Sequence, residues 1–139
     1  MRIYVILLLF IVFVVYFVVH VIGNMRDSTL PGFTIATVTR VIDGDTIVLS
    51  CGERVRLIGI DAPEIGESGD DEASEFVKKH VYRQRVWLSS SGADRDRFGR
   101  LRRYVWIKEP TDPQDPVQIA EKQLNALLVE HGHAIAVSF

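Results

Sequence analysis

The stretch Val41 to Glu64, V-I-D-G-D-T-I-V-L-S-C-G-E-R-V-R-L-I-G-I-D-A-P-E, constrains this chain more than any other. Two β-branched runs, Thr46 to Leu49 and Val55 to Ile60, flank a Ser-Cys-Gly-Glu turn and so read as a hairpin. Asp43 and Asp45 precede the first run, and Asp61 and Glu64 follow the second, so closing the hairpin gathers four carboxylates at its open end. Carboxylates forced together repel and raise each other's pKa unless a cation sits between them, which points to a metal. Arg56 is written into the second run, and strand alternation turns it to the face opposite Val55 and Leu57.

Around this hairpin the pattern is strand-rich. Phe33 to Ile42 reads as a strand ended by Asp43-Gly44, where glycine would serve a turn at positive φ. Ala73, Phe76, Val77 and Val81 recur at helical spacing, predicting a helix over 72–82 with Asp70, Asp71 and Glu72 at its positive end. Arg85 to Ser90 and Leu101 to Ile107 return to strand across a polar loop, 91–100. Asp115-Pro116-x-Gln118 then caps one further helix, with Ala120, Leu124, Leu127 and Leu128 on a single face and Gly132 at its end, before a last strand over 134–137. Few strand-to-strand links are helical crossovers, so a small closed or partly open barrel of mainly β, α+β class is expected rather than a parallel sheet.

Ahead of this domain (33–139) stand a run, residues 3–19, without a single charge and a short linker, 24–32. Seventeen to twenty helical residues at about 1.5 Å each span roughly the hydrocarbon core of a bilayer, so residues 3–22 predict a transmembrane signal-anchor within 1–23, with the domain outside the cytoplasm. A cleaved signal peptide and a secreted domain are the alternative. Leaving out Arg2, Arg26 and Asp27, the rest of the chain has 14 Lys+Arg against 17 Asp+Glu, which disfavours a general nucleic-acid binder held by charge alone. The distribution is uneven, however. Residues 61–75 carry seven acids and no base, whereas 78–103 carry nine of the fourteen bases. One region suits a cation and the other a phosphate chain. The lone Cys51 excludes an intrachain disulfide.

Phosphodiester hydrolysis needs an activated water, a cation on the non-bridging oxygens and positive charge on the transition state. Glu64 suits the general base, Asp45 and Asp61 suit a hard cation such as Ca²⁺, and Arg56 and Arg100 can fork onto phosphate. Three motifs in order, I-D-G-D-T at 42–46, R-L-I-G-I-D-A-P-E at 56–64 and D-R-F-G-R at 96–100, make the domain resemble the staphylococcal nuclease (thermonuclease) family from about Thr34 onward. The resemblance implies an OB-type five-stranded barrel with two to three helices and a Ca²⁺-dependent hydrolysis of DNA and RNA, single-stranded or frayed, with low sequence specificity and by a monomer. It also implies metal ligands at Asp45, Asp61 and the carbonyl of Ala62, with Asp43 in an outer shell. Catalytic roles fall on Arg56, Arg100 and Glu64, and substrate contacts on Thr46 and Phe98; Arg97, as a solvated or nonspecific phosphate contact, is the remaining candidate for substrate binding.

This sequence departs from the family pattern where Ala62 replaces a threonine and Phe98 a tyrosine, and the final helix of the type member is absent. The alternative function is a non-catalytic OB-fold module that holds nucleic acid at the membrane, which would have no use for Asp45, Asp61, Glu64, Arg56 and Arg100 together. Arg95, Arg102 and Arg103 read as solvated or nonspecific phosphate contacts, and His80, His131 and His133 as surface histidines rather than ligands.

Overall fold

The computed structural model describes residues 32–138 together with Val12 and Tyr16. The expected membrane segment and linker therefore fall outside the described residues apart from Val12, Tyr16 and Gly32. Among the described residues no helix is long and apolar enough to cross a membrane.

Five strands close into a barrel in the order β1-β2-β3-β6-β5: β1 Thr34–Val41, β2 Thr46–Leu49, β3 Arg54–Leu57, β5 Arg85–Ser89 and β6 Leu101–Trp106. All neighbours are antiparallel except β3 and β6, which run parallel and complete the closure. A bulge between Val38 and Arg40 lets β1 serve two partners, β5 along its first half and β2 along its second. Strand alternation aims Val38, Ile47, Leu49, Val55, Leu57, Val86, Leu88 and Val105 into the barrel, none more than 4% exposed.

Three helices cover the open ends. Helix α1, Asp70–Val81, buries Ala73, Val77 and Val81 and carries three acids in its first turn, where the helix dipole favours them. Gly69 precedes it at φ +91°, a left-handed conformation that glycine adopts without penalty. The single helix expected after Asp115 is instead two, α2 Pro116–Lys122 and α3 Leu124–Glu130. The Asp115 cap forms as expected, its carboxylate accepting from the Val117 N–H at 3.0 Å. The break falls at Gln123, which turns extended (φ −94°, ψ 116°) and bridges to Trp106 of β6. Sheet pairing thus outcompetes helix continuation at one residue.

The second apolar run of the hairpin also divides. β3 stops at Leu57, the chain turns through Gly59 at φ +74°, and β4, Ile60–Asp61, leaves the barrel to pair with β7, Ile135–Ala136. Asn125 of α3, 2% exposed, secures this turn: its Nδ2 donates to the carbonyl of Ile58 at 2.8 Å and its Oδ1 accepts from the N–H of Val105 at 3.0 Å. A buried amide satisfied on both sides is favourable only while both partners persist, so it locks the helix to the turn that carries Asp61.

Candidate active site

The site assembles where β1–β2, β3–β4 and the 91–100 loop meet. Gly44, in the first of these, is not at positive φ as a simple turn would have it. A Cβ there would lie 2.7 Å from the Cβ atoms of both Ala62 and Ala73, so glycine is required by close approach. That approach leaves Asp45 buried behind Arg56, 6% exposed. Its carbonyl accepts from the N–H of Leu57 at 2.9 Å, Oδ2 accepts from the N–H of Ala62 at 3.0 Å, and Oδ1 accepts from the hydroxyl of Thr46 at 3.0 Å. Asp43, two residues earlier, accepts from the Asp45 N–H through Oδ1 at 3.0 Å.

Arg56 binds the pocket together. Because the chain reverses at Gly59, Ile60 and Asp61 return to the arginine four and five residues before them. Nη1 donates to the carbonyls of Leu57 and Ile60 at 3.0 and 2.9 Å. Nη2 lies 2.9 Å from Oδ1 of Asp61 and 3.2 Å from Oδ2 of Asp45. Two carboxylates thus share one cationic nitrogen. Burial pushes the Asp45 carboxyl up to about 6; the Ala62 N–H and the Arg56 charge oppose the rise, and Asp43 adds to it.

This has a measurable consequence for Asp45→Asn. A carboxyl with a raised folded pKa favours the protonated native state, so its contribution is full below about pH 4 and is lost as pH rises to about 6. In chelator the asparagine variant is expected to match the wild type near pH 4. It should be about 2 kcal/mol more stable at pH 7.5 by denaturant titration.

Arg100 approaches from the other side. Asp96 organises its loop: Oδ1 accepts from the N–H groups of Phe98 and Arg100 at 2.9 and 3.0 Å, and Oδ2 accepts from Nε of Arg100 at 2.6 Å. Burial would raise the Asp96 carboxyl, but the Arg100 side chain and these N–H groups outweigh it and hold it below the usual carboxylate range. Nη1 of Arg100 donates to Oγ1 of Thr46 at 3.2 Å, completing a chain of contacts Asp96–Arg100–Thr46–Asp45–Arg56–Asp61. The cleft between the two arginines has a volume of about 380 Å³ and is lined by Arg56, Leu57, Ile58, Asp96, Phe98 and Arg100 among others. Phe98, 61% exposed, presents its ring beside it with the guanidinium groups of Arg97 and Arg100 4.7 and 5.4 Å from the ring centroid.

Six of the sequence-predicted residues, Asp45, Asp61, Arg56, Arg100, Thr46 and Asp43, are therefore linked directly. Ala62 touches the network through its N–H. Glu64 follows in the exposed loop three residues after Asp61, and its carboxylate has no hydrogen-bond or ion-pair partner among the described residues. Two contributions escaped sequence reading. Asp96 was quoted only as part of a motif, although Asp three residues before a glycine is a recognisable turn signal. Arg103 is no solvated base: its guanidinium donates to Oδ1 of Asp94 at 2.6 Å, pinning the start of the arginine loop to β6. Among the described residues no group of three or more His, Cys, Asp or Glu is placed to hold a metal, so any ion here rests on a carboxylate pair completed by other oxygens.

A small closed barrel of OB type, with two arginines lining one cleft and a buried acid in contact with one of them, defines a class of site suited to phosphate chemistry. The family model for staphylococcal nuclease homologues matches residues 54–139, and the chain belongs to that family. It is 44% identical over 79 residues to the thermonuclease of Staphylococcus intermedius and 39% identical over 79 residues to that of Staphylococcus hyicus. Each match covers 50% of this chain and 47% of the relative. Similarity to the micrococcal nuclease of Shigella flexneri is 32% over 105 residues, 73% of this chain and 58% of the relative. The chain spans about half the length of the curated relatives it matches.

Proposed function

We propose that this protein hydrolyses phosphodiester bonds of DNA and RNA with low sequence specificity, using Ca²⁺. The observation that carries the reading is the chain of contacts that ties Asp45, Asp61 and Thr46 to Arg56 and Arg100, the two arginines that line one cleft. A barrel that only held nucleic acid would gain nothing from burying Asp45, since a buried carboxylate repels phosphate and costs stability.

Asp45 and Asp61, with the carbonyl of Ala62, would hold the ion, and Asp43 would reach it through water. The donor set fits a hard cation: it is all oxygen, and two carboxylates, Asp45 and Asp61, stand at a single guanidinium nitrogen of Arg56. When bound, Ca²⁺ supplies charge neutralisation at the phosphate oxygens. Arg100 turns its remaining Nη donors onto the phosphate, and Arg56, whose Nη groups are held by two carbonyls and two carboxylates, adds its charge and its Nε–H; together they stabilise the charge that develops as the phosphorus becomes five-coordinate. Asp96 keeps Arg100 aimed by holding its Nε, and Thr46 ties that arginine to the acid side of the cleft. Glu64, unpartnered and in water, accepts the proton of the attacking water. Phe98 offers a ring on which a base stacks, and Arg97 lies over that ring within reach of a neighbouring phosphate. The domain carries out this reaction outside the cytoplasm, tethered through residues 3–22.

Incubating the full chain with labelled single-stranded DNA and with RNA tests the reading. Both substrates are expected to shorten with Ca²⁺ and to stay intact with chelator. Cleavage unaffected by chelator would remove the metal from the scheme, and no cleavage under either condition would leave a binding module.

A further inference from the structure

The five barrel strands contain six arginines and neither an acid nor a lysine, although the chain has 18 acids and a net charge of −2. Among the described residues every Asp and Glu is thus confined to loops, helices and β4, and the only charged side chains on the five strands are arginines. Register shows how the charges line up. Arg40 of β1 pairs across β2 at Val48, which pairs in turn with Arg54 of β3, so the three side chains share one outward row. The next row up β3, Thr46–Arg56–Arg102, is the one that carries the candidate active site.

Arg54 and Arg56 are two residues apart on one strand, about 6.6 Å, and Arg40 and Arg54 are two strand spacings apart, about 9.5 Å. Both Arg40 and Arg54 are exposed, and neither has a hydrogen-bond, ion-pair or ring partner among the described residues. This distinguishes them from Arg95, bound to Glu53 through both terminal nitrogens, and from Arg103, bound to Asp94. Val48 faces outward between them yet is only 9% exposed, as expected where the aliphatic stems of two long side chains lie over it.

We propose that the outer face of β1, β2 and β3 is a track for the phosphodiester backbone of a single-stranded nucleic acid, on which Arg40 and Arg54 hold phosphates beyond the one in the cleft. The proposal rests on the phosphodiesterase reading of that cleft. Two unpaired guanidinium groups one row from Arg56 extend a line of phosphate-matching forks, and a polyanion threaded through the cleft would meet them next. A single strand is favoured over a lipid surface because the row adjoins that of Arg56 and its only charged side chains are Arg, whose fork matches a phosphodiester.

The test uses the full chain carrying Glu64→Gln, so that the probe stays intact, and reads fluorescence anisotropy of a labelled single-stranded 12-mer and of a dinucleotide. Adding Arg40→Gln and Arg54→Gln is expected to weaken 12-mer binding about tenfold. It should also lower the slope of log K against log salt by about 1.4, two phosphates at about 0.7 each, and leave the dinucleotide unaffected. A control pair, Lys79→Gln with Lys108→Gln, removes the same charge elsewhere and should leave 12-mer binding within twofold. Unchanged 12-mer binding in the arginine variant overturns the track, as does an equal loss in the lysine pair or on the dinucleotide. So does a loss confined to phosphatidylserine vesicles. A protein that binds the 12-mer in this arginine-dependent way yet cuts nothing keeps the track and loses the phosphodiesterase reading, whereas a cutting protein with no such dependence does the reverse.

Discussion

Glu64→Gln should lower kcat for cleavage by about 10² to 10⁴ while leaving the thermal midpoint within about a degree of the wild type. The two halves of this expectation come from separate features. Glutamine keeps the shape of the side chain but cannot accept the proton of the attacking water, so the general-base contribution disappears. The carboxylate is exposed and unpartnered among the described residues, so nothing in the fold depends on it, and exposed substitutions of this kind shift stability by at most about 0.5 kcal/mol. Steady-state kinetics on a single-stranded substrate together with calorimetry check both. An unchanged kcat would remove Glu64 as the base.

Arg56→Ala should do the opposite in kind, damaging fold and chemistry together. Loss of one preorganised cation from the transition state is expected to cost about 10² to 10³ in kcat. The same deletion removes donors from the carbonyls of Leu57 and Ile60 and leaves Asp45 buried without a counter-charge. Breaking a buried pair by removing one partner costs about 3 kcal/mol or more. Asp45 can escape part of this by taking a proton. Its folded pKa already stands at about 6 with Arg56 present, and without that charge it rises further, so the variant's deficit should be small near pH 4 and grow as pH climbs past 6. Denaturant titrations of both proteins at pH 4.5 and 8 check the sign. Arg56→Lys restores the charge but not the fork, and should recover stability more than kcat. Equal deficits at both pH values would show that Asp45 and Arg56 do not interact as described.

Much of this site was legible because its parts are local. The Asp43-Gly44-Asp45 turn, the alternation that turns Arg56 away from Val55 and Leu57, and the acids beyond β3 all lie within 24 residues, and the hairpin alone brings them close. What escaped reading was decided by partners distant in sequence. The run Val55 to Ile60 is apolar apart from Arg56 and Gly59, yet half of it pairs with β2 and β6 while Ile60 and Asp61 pair with a strand some 75 residues later. Periodicity carries no trace of that choice. Gln123 likewise fits the helical pattern around it and leaves the helix only because Trp106 offers a bridge. Gly44 suggested a positive-φ turn, whereas its reason is the nearness of Ala62 and Ala73, which only tertiary packing creates. Asp96 and Arg103 show the same limit for charges: in sequence one is only a member of a motif and the other a base on a strand, and the loop's closure gives each its partner.

The claim on which everything else depends is that one phosphodiester sits between Arg56 and Arg100. The most direct measurement is an NMR titration of the Glu64→Gln protein with a short single-stranded oligonucleotide in the presence of Ca²⁺, following the arginine Nε–Hε resonances. The account predicts that Arg56 and Arg100 shift together, at the same oligonucleotide concentration, while Arg103, held by Asp94, stays in place. Movement of either of these two arginines without the other, or shifts confined to residues away from the cleft, would contradict it.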